Sequence, residues 1–324
     1  MQRNLIKKVQ NTIFQYSLLK RDDKIIVAVS GGPDSTAMLD IFSKLKKKYD
    51  LDLIVAHVNY NLRGNDSKKD EAFARKLAEK YNLEIFVLRP VETQNFASLP
   101  QRKKHPSENT LRDIRYAFFE KIRLENKFDH IAVAHNADDQ VETFLSRVIR
   151  GAGLLGLSAM RHKNNSIIRP LLDVPRCEIL KYLKENKLTY RVDKTNLESE
   201  FLRNKIRNKL LPYLEKNFNP AIRQTIFDAT VSISEDYSLV SNLIEKKYKK
   251  LNELDVKNIE KLHPAVQKGI VRKMLKEKKG NLQNIGAANI EEILKIIKST
   301  KNKAQTVVFK GLKITRKGDK IKIE

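Results

Sequence analysis

Cysteine is almost missing from this 324-residue chain, which has Cys177 and no other. No disulfide, Cys-x-x-Cys zinc site or two-thiol redox relay can therefore form within one chain, and a reducing, cytoplasmic setting is expected. Long apolar runs are missing too, and none approaches the roughly 20 residues of a membrane-spanning helix. The opening stretch MQRNLIKKVQNTIFQYSLLK interrupts its apolar positions with charges and amides. It reads as an amphipathic helix with Leu5, Ile6, Val9, Ile13 and Phe14 on one face, not as a signal peptide. The phosphate-loop pattern G-x-x-x-x-G-K-S/T is absent, which excludes the common P-loop NTPases, and no internal repeat or low-complexity linker is found.

Positive charge is what the chain has in excess: 64 Lys and Arg against 39 Asp and Glu give a net charge of +25. Such a surface suits a polyanion, because each cation placed on a phosphate releases counterions. A lysine-rich genome supplies the same excess without a partner. From Phe201 onward 28 basic residues face 13 acidic ones, so the last 124 positions carry +15 and the first 200 carry +10. The tail is the more basic part.

Four short, nearly continuous apolar stretches, at 24–30, 51–58, 84–88 and 129–134, read as strands buried on both faces. Helical patterns at 36–49, 68–81, 108–126 and 137–149 alternate with them. This predicts an α/β fold, an open parallel sheet with helices on both faces and a ligand site at the carboxyl ends of the strands. After a polar stretch at 187–200 the spacing is helical through 201–251, with Pro212 and Pro220 as expected breaks, and again at 260–278 and 287–298. The end, QTVVFKGLKITRKGDKIKIE, alternates as two or three strands turning at Lys310-Gly311 and Lys317-Gly318-Asp319. The expected division is a larger domain over 1–215, ending in a helical linker, and a smaller basic helical or α+β domain over 216–324.

The turn after the first strand is Ser30-Gly31-Gly32-Pro33-Asp34-Ser35. Between a strand and a helix, its N–H groups and two hydroxyls converge on the positive end of a helix dipole, where a phosphate fits. The glycines clear Cβ atoms from its approach, and Asp34 offers a carboxylate for magnesium. His135, Asp138, Asp139 and Glu142 recur at i, i+3, i+4 and i+7, one face of a helix following the fourth strand. Without a thiolate or a second nearby histidine they make a poor zinc set and better suit magnesium or an ammonium group. The alternative is a solvated acidic helix start. Arg112 and Arg115 either face the same cleft and neutralise developing charge, or pair on the surface with Glu108 or Glu120. The glycine-rich stretch 151–157 either shapes a pocket or ends a helix. In FLRNKIRNKLLP, a buried stripe of Leu202, Ile206 and Leu210 leaves Arg203, Lys205, Arg207 and Lys209 pointing outward, to RNA phosphates or to solvent.

Ser30 to Ser35 resembles the pyrophosphate loop of the N-type ATP pyrophosphatases, which split ATP into AMP and pyrophosphate. HVNYNLRG, ENTLRDIRYAFFE, AHNADDQVETFLSRVIRGAGLLGLSAM, IIRPLLDVPRCEI and DKTNLESEFLRNKIRNKLLPYLE follow in order. Together, from about Lys24 to Glu215, they are similar to the tRNA(Ile)-lysidine synthetases. Tyr60 departs, where those enzymes more often carry histidine. The resemblance implies an adenine-nucleotide α-hydrolase-like fold, with a catalytic domain over 1–215 and a tRNA-binding domain over 216–324. It implies that ATP adenylates the C2 oxygen of the wobble cytidine in a CAU anticodon and that L-lysine then displaces AMP. Ser30, Gly31, Gly32, Pro33, Asp34, Ser35 and His57 would bind ATP, with Asp34 holding Mg²⁺. Asp34, Arg112, Arg115, His135, Asp139 and Glu142 would be catalytic, and Asp138, Asp139 and Glu142 would bind lysine. Arg63, Arg203, Lys205, Arg207 and Lys209 would meet tRNA. No membrane partner is implied, and monomer and homodimer both stay open. The rivals are a tRNA thiolation enzyme, against which the single cysteine speaks, a glutamine-dependent amidating ligase, and a non-catalytic tRNA-binding protein.

Overall fold

A computed structural model describes residues 2–62, 64–89, 108–191, 202–249, 256–280, 282, 285–301 and 303–324. The chain forms two compact units, Met1–Val231 and Ser232–Glu324. The division falls later than the expected residue 215.

The first unit opens with α1 (Gln2–Gln15). Leu5, Val9 and Ile13 are buried, whereas Phe14, expected beside them, is 85% exposed. The buried stripe runs in steps of four, and one residue beyond it turns about 100° away. Next come β1 (Lys24–Ala28), α2 (Pro33–Tyr49), β2 (Asp52–Val58), α3 (Asn65–Lys80), β3 (Ile85–Leu88), α4 (Glu108–Glu125), β4 (His130–Ala132) and α5 (Ala137–Ile149). α6 (Leu154–Leu157), β5 (Lys163–Asn164), β6 (Ile167–Ile168) and α7 (Arg176–Glu185) complete the α/β layers. The sheet order is β3-β2-β1-β4-β6-β5. Every pairing is parallel except β5 with β6. Two-residue strands carry no periodicity, so that antiparallel edge was not legible. Ile25 and Val27 of β1 belong to the core on one side of the sheet and Ile26 to the core on the other, packed with Phe119 and Ile122 of α4. Period-two alternation between two apolar cores is why these strands read as unbroken hydrophobic runs.

The helical run that follows does not break at Pro212. It passes from α8 (Leu202–Lys205) through a π-helical turn (Ile206–Leu210) into α9 (Leu211–Asn217). Proline cannot donate to the carbonyl four residues back and its ring crowds it, and a wider turn just upstream relieves both problems. The Leu211 N–H accordingly reaches the Ile206 carbonyl, five residues back. The chain does break at 218–221, around Pro220, before α10 (Ile222–Lys249).

In the second unit α11 (Val256–Glu260), α12 (Pro264–Lys279) and α13 (Ala287–Ile297) precede β7 (Gln305–Phe309), β8 (Leu312–Lys317) and β9 (Lys320–Ile323). The three strands form an antiparallel sheet in that order. Ile314, Ile321 and Ile323 alternate inward onto Ile270, Met274, Ile293 and Ile297. Lys310 and Gly311 both take positive φ, 50° and 79°, as a two-residue hairpin turn requires. At Gly269 a Cβ would stand 2.1 Å from Ile244 Cδ1, so glycine is what lets α12 approach α10 so closely. This is the expected α+β tail.

Candidate active site

β1 lies between β2 and β4, and the chain crosses to one side of it for β2 and β3 and to the other for β4. Ligands of open α/β sheets sit at the carboxyl end of such a switch point. A cleft of about 220 Å³ opens there, lined by Ser30, Gly32, Asp34, Ser35, Tyr60, Arg115 and His135, with Val29, Val133 and Ala134 at its floor. Six of the sequence-predicted residues therefore meet in one place.

The loop is braced by its own hydroxyls. Ser35 Oγ donates to the Gly32 carbonyl at 3.1 Å and accepts from the Ser30 N–H at 3.2 Å, while the two serine hydroxyls lie 3.2 Å apart. Gly32 caps α2 with Pro33 in its first turn, so the N–H groups of Asp34 and Ser35 open the helix without intrahelical acceptors. Gly31 has φ 88° and gives its carbonyl to the Arg191 N–H at 2.9 Å; a Cβ there would press Phe73 at 3.4 Å. Asp34 accepts from Asn136 Nδ2 at 3.1 Å and has Arg176 Nη1 at 3.6 Å. Burial, opposed mainly by Arg176 and reinforced by Asp139, pushes the Asp34 carboxyl up to about 6.

The acidic helix differs from expectation in two ways. Asn136 is the N-cap of α5, so His135 precedes the helix and only Asp138, Asp139 and Glu142 share its face. His135 lines the cleft instead, and Arg169 Nε donates to its Nδ1 at 3.2 Å. Burial first, then Arg169, Arg203, Arg115 and Arg112, holds its pKa well below the ordinary value, so the ring is neutral with its proton on Nε2. The second difference concerns Arg203 and Arg207, which do not project outward. Arg203 Nε reaches the fully buried Glu142 at 2.7 Å and its Nη2 reaches Asp139; Arg207 grips Glu142 with Nε and with Nη2 at 3.0 Å. Asp138 is met by Arg223 Nη1 at 3.1 Å and by the Arg176 N–H at 2.8 Å. Leu202, Ile206 and Leu210 do pack into one apolar cluster with Val141, Phe144 and Leu145 of α5, so Arg203 and Arg207, flanking that stripe, come within reach of the α5 carboxylates. The neighbouring Lys205 and Lys209 stay exposed.

Residues 1–214 match the PP-loop domain family. A tRNA(Ile)-lysidine synthase of Clostridium tetani is 36% identical over 322 residues, 97% of this chain and 68% of that protein. The chain belongs to the tRNA(Ile)-lysidine synthase family. A second member, from Clostridioides difficile, is 32% identical over 326 residues, 98% of this chain and 70% of that protein. The chain spans 52% of a further member, from Clostridium acetobutylicum, at 43% identity. Among solved structures, the U34-tRNA thiolase NcsA from Methanococcus maripaludis with its 4Fe-4S cluster has a TM-score of 0.57 at 23% identity, covering 72% of this chain and 80% of that one. That likeness speaks for the fold alone.

Within this lysidine synthase fold the remaining residues divide clearly. Arg112 and Arg115 stack against the Tyr116 ring, 5.3 and 5.6 Å from its centroid, and neither has an ion pair among the described residues. Glu120, a suggested partner, is taken by Arg123 and Ser166. Arg115 lines the cleft; Arg112 is exposed and does not line it. His57 does not line it: its Nδ1 bonds the Val29 carbonyl at 2.8 Å and bolts β2 to the strand end that leads into the loop. Burial lowers its pKa. The 151–157 stretch closes α5 and starts α6, and Arg147 holds its Gly156 carbonyl together with that of Ala159 just beyond it. Arg63 and the DKTNLESE stretch lie outside the described residues. Asn136, Arg169, Arg176 and Arg223 also reach the site, unmarked by any motif role in the sequence. The first had a local signal, Asn followed three residues later by Asp, a capping box in which both side chains engage.

A magnesium ion fits the loop. Such ions use one or two carboxylates and complete their shell with water and substrate phosphate. Asp34 is one half-buried carboxylate whose charge its neighbours leave incompletely compensated, beside helix-opening N–H groups that suit phosphate oxygens. Among the described residues no cluster of three or more His, Cys, Asp or Glu side chains is arranged for a metal, so Asp34 would work together with phosphate. Among them also, no helix is long and apolar enough to cross a membrane.

Proposed function

We propose that this chain ligates L-lysine to the wobble cytidine of a CAU-anticodon isoleucine tRNA at the expense of ATP, in the cytoplasm. The carrying observation is the cleft itself, where the Ser30–Ser35 loop, Asp34, Arg115 and neutral His135 converge in a member of this family. In the first step the cytidine C2 oxygen attacks the α-phosphorus and the bond to pyrophosphate breaks. The N–H groups at the start of α2 and the Ser30 and Ser35 hydroxyls bind the departing phosphates. Asp34 would hold Mg²⁺, which supplies neutralising charge to pyrophosphate. Arg115, braced on Tyr116 and free of ion pairs among the described residues, faces the reacting phosphate, and Arg112 stands behind it.

In the second step the bound lysine ammonium gives a proton to the acid face, the neutral amine attacks C2, and the C2–O bond breaks as AMP leaves. Asp138, Asp139 and Glu142 are the ammonium-binding carboxylates. Their charges are already matched by Arg203, Arg207 and Arg223, so lysine takes over hydrogen bonds from Arg203, the most exposed guanidinium on Asp139 and Glu142. Arg203 and Arg207 thus belong to the acid face, whereas Lys205 and Lys209 keep the tRNA-facing role and the basic second unit grips the tRNA body. Base thiolation is disfavoured because the sole cysteine, Cys177, is exposed and has no thiol partner in the chain.

The test is pyrophosphate release from ATP and Mg²⁺, with and without lysine and with a tRNA lacking the wobble cytidine. Release that needs the cytidine, with lysine becoming tRNA-bound, is expected. Release without lysine incorporation would remove the substrate assignment and leave the loop assignment standing. No ATP turnover would leave only a tRNA-binding role.

A further inference from the structure

Arg203 and Arg207 turn one side of the α8-to-α9 run toward α5, and the other side faces water. On that side Lys205, Lys209, Tyr213 and Lys216 follow in steps of four, four and three, and all are exposed, as is Phe218 just beyond α9. Tyr213 is 58% and Phe218 70% exposed, and both lie outside the hydrophobic cores. Their rings are 5.8 Å apart and tilted by 58°, touching each other while leaving faces open. No ion pair engages Lys205, Lys209 or Lys216 among the described residues. Exposed aromatic faces beside uncompensated cations are the two components of a single-stranded nucleic-acid surface, cations for phosphates and π faces for bases.

We propose that Tyr213 and Phe218 form a stacking platform for unpaired nucleotides of the tRNA, with Lys205, Lys209 and Lys216 on the adjoining phosphates. This rests on the tRNA reading above and adds the two rings and Lys216 to it. The occupant is RNA because the rings come with three lysines that have no ion pair among the described residues, a charge that an apolar protein partner would have to bury. The platform is anchored to the site. Glu215, between the rings in sequence, takes Arg223 Nε at 2.7 Å, and Arg223 reaches Asp138 on α5. Asn217 Nδ2 returns to the Tyr213 carbonyl at 2.8 Å and ties the two ends of α9 together. Stacking is indifferent to base identity, so the platform grips a splayed loop and leaves its reading to the cleft.

The test uses the full chain and a CAU-anticodon isoleucine tRNA transcript. Tyr213→Leu and Phe218→Leu should each weaken binding about tenfold, at unchanged melting temperature and unchanged slope of log affinity against log salt. Lys216→Ala should instead make that slope shallower, because one phosphate contact is lost. The chain contains no tryptophan, so Phe218→Trp provides a single indole that should retain tRNA affinity and be quenched when tRNA binds. Leucine variants with wild-type affinity, or an indole indifferent to saturating tRNA, would overturn the platform while tRNA-dependent pyrophosphate release upheld the enzyme. An indole that responded to protein concentration and not to tRNA would make the surface a self-association site and overturn the proposal. A wild-type chain that bound no tRNA and released no pyrophosphate would remove the enzymatic reading and the platform with it.

Discussion

Asp34 and Glu71 are carboxylates withdrawn from water near the carboxyl ends of the same sheet, yet their surroundings push them in opposite directions. Glu71 receives two bonds from Arg89, at 2.6 and 2.9 Å, a third from Asn59 at 2.9 Å, and Arg75 as well. Its pKa falls to about 2, with Arg89 the leading cause. Asp34 has one amide and a distant guanidinium, and burial lifts it to about 6. Glu142, fully buried and held by two arginines, resembles Glu71 in construction. Carboxylates completed from within the chain can take an outside cation only by releasing one of their own arginines, whereas Asp34 is left incomplete and open to a metal ion.

The largest effect should come from breaking a completed carboxylate. Glu142→Gln leaves Arg203 and Arg207 facing a neutral group and should cost about 3–5 kcal/mol in chemical denaturation. Glu71→Gln should cost about 2–3 kcal/mol at neutral pH. Because the folded Glu71 pKa is depressed, its contribution is complete above about pH 4.5 and is lost as pH falls toward 2, so the difference between wild type and variant should shrink over that window. Asp34→Asn should act with the opposite sign. Its folded pKa is raised, so ionisation between roughly pH 4 and 6 weakens the native state, and the variant should be more stable than wild type above pH 6 by about 1–3 kcal/mol while losing pyrophosphate release. Equal stability at pH 7.5 would end the contrast. Smallest is Gly31→Ala, which forces a side chain to φ 88° against Phe73 and should cost about 1–2 kcal/mol, with ATP affinity falling more than stability.

How much of this was legible depended on the range of the interactions. The loop from Ser30 to Ser35 is local, so its role was readable from strand, glycines and helix in sequence. The span of α5 and the two turns between the tail strands followed from periodicity for the same reason. The partners of the acidic face were not readable. Arg203 and Arg207 lie 61 and 65 residues from Glu142, and nothing local to either helix marks which cations beside the apolar stripe meet α5 and which meet solvent. His135 was placed on a helix that Asn136 begins only afterwards. The two-residue strands β5 and β6 are too short to leave a pattern.

The most direct measurement is the mass of the wobble nucleoside recovered from a CAU-anticodon isoleucine tRNA after incubation with the chain, ATP, Mg²⁺ and isotopically labelled lysine. The expected product is a nucleoside carrying the label, formed with one pyrophosphate released per tRNA and absent with Asp34→Asn. Unmodified cytidine in a reaction that has released pyrophosphate would contradict it.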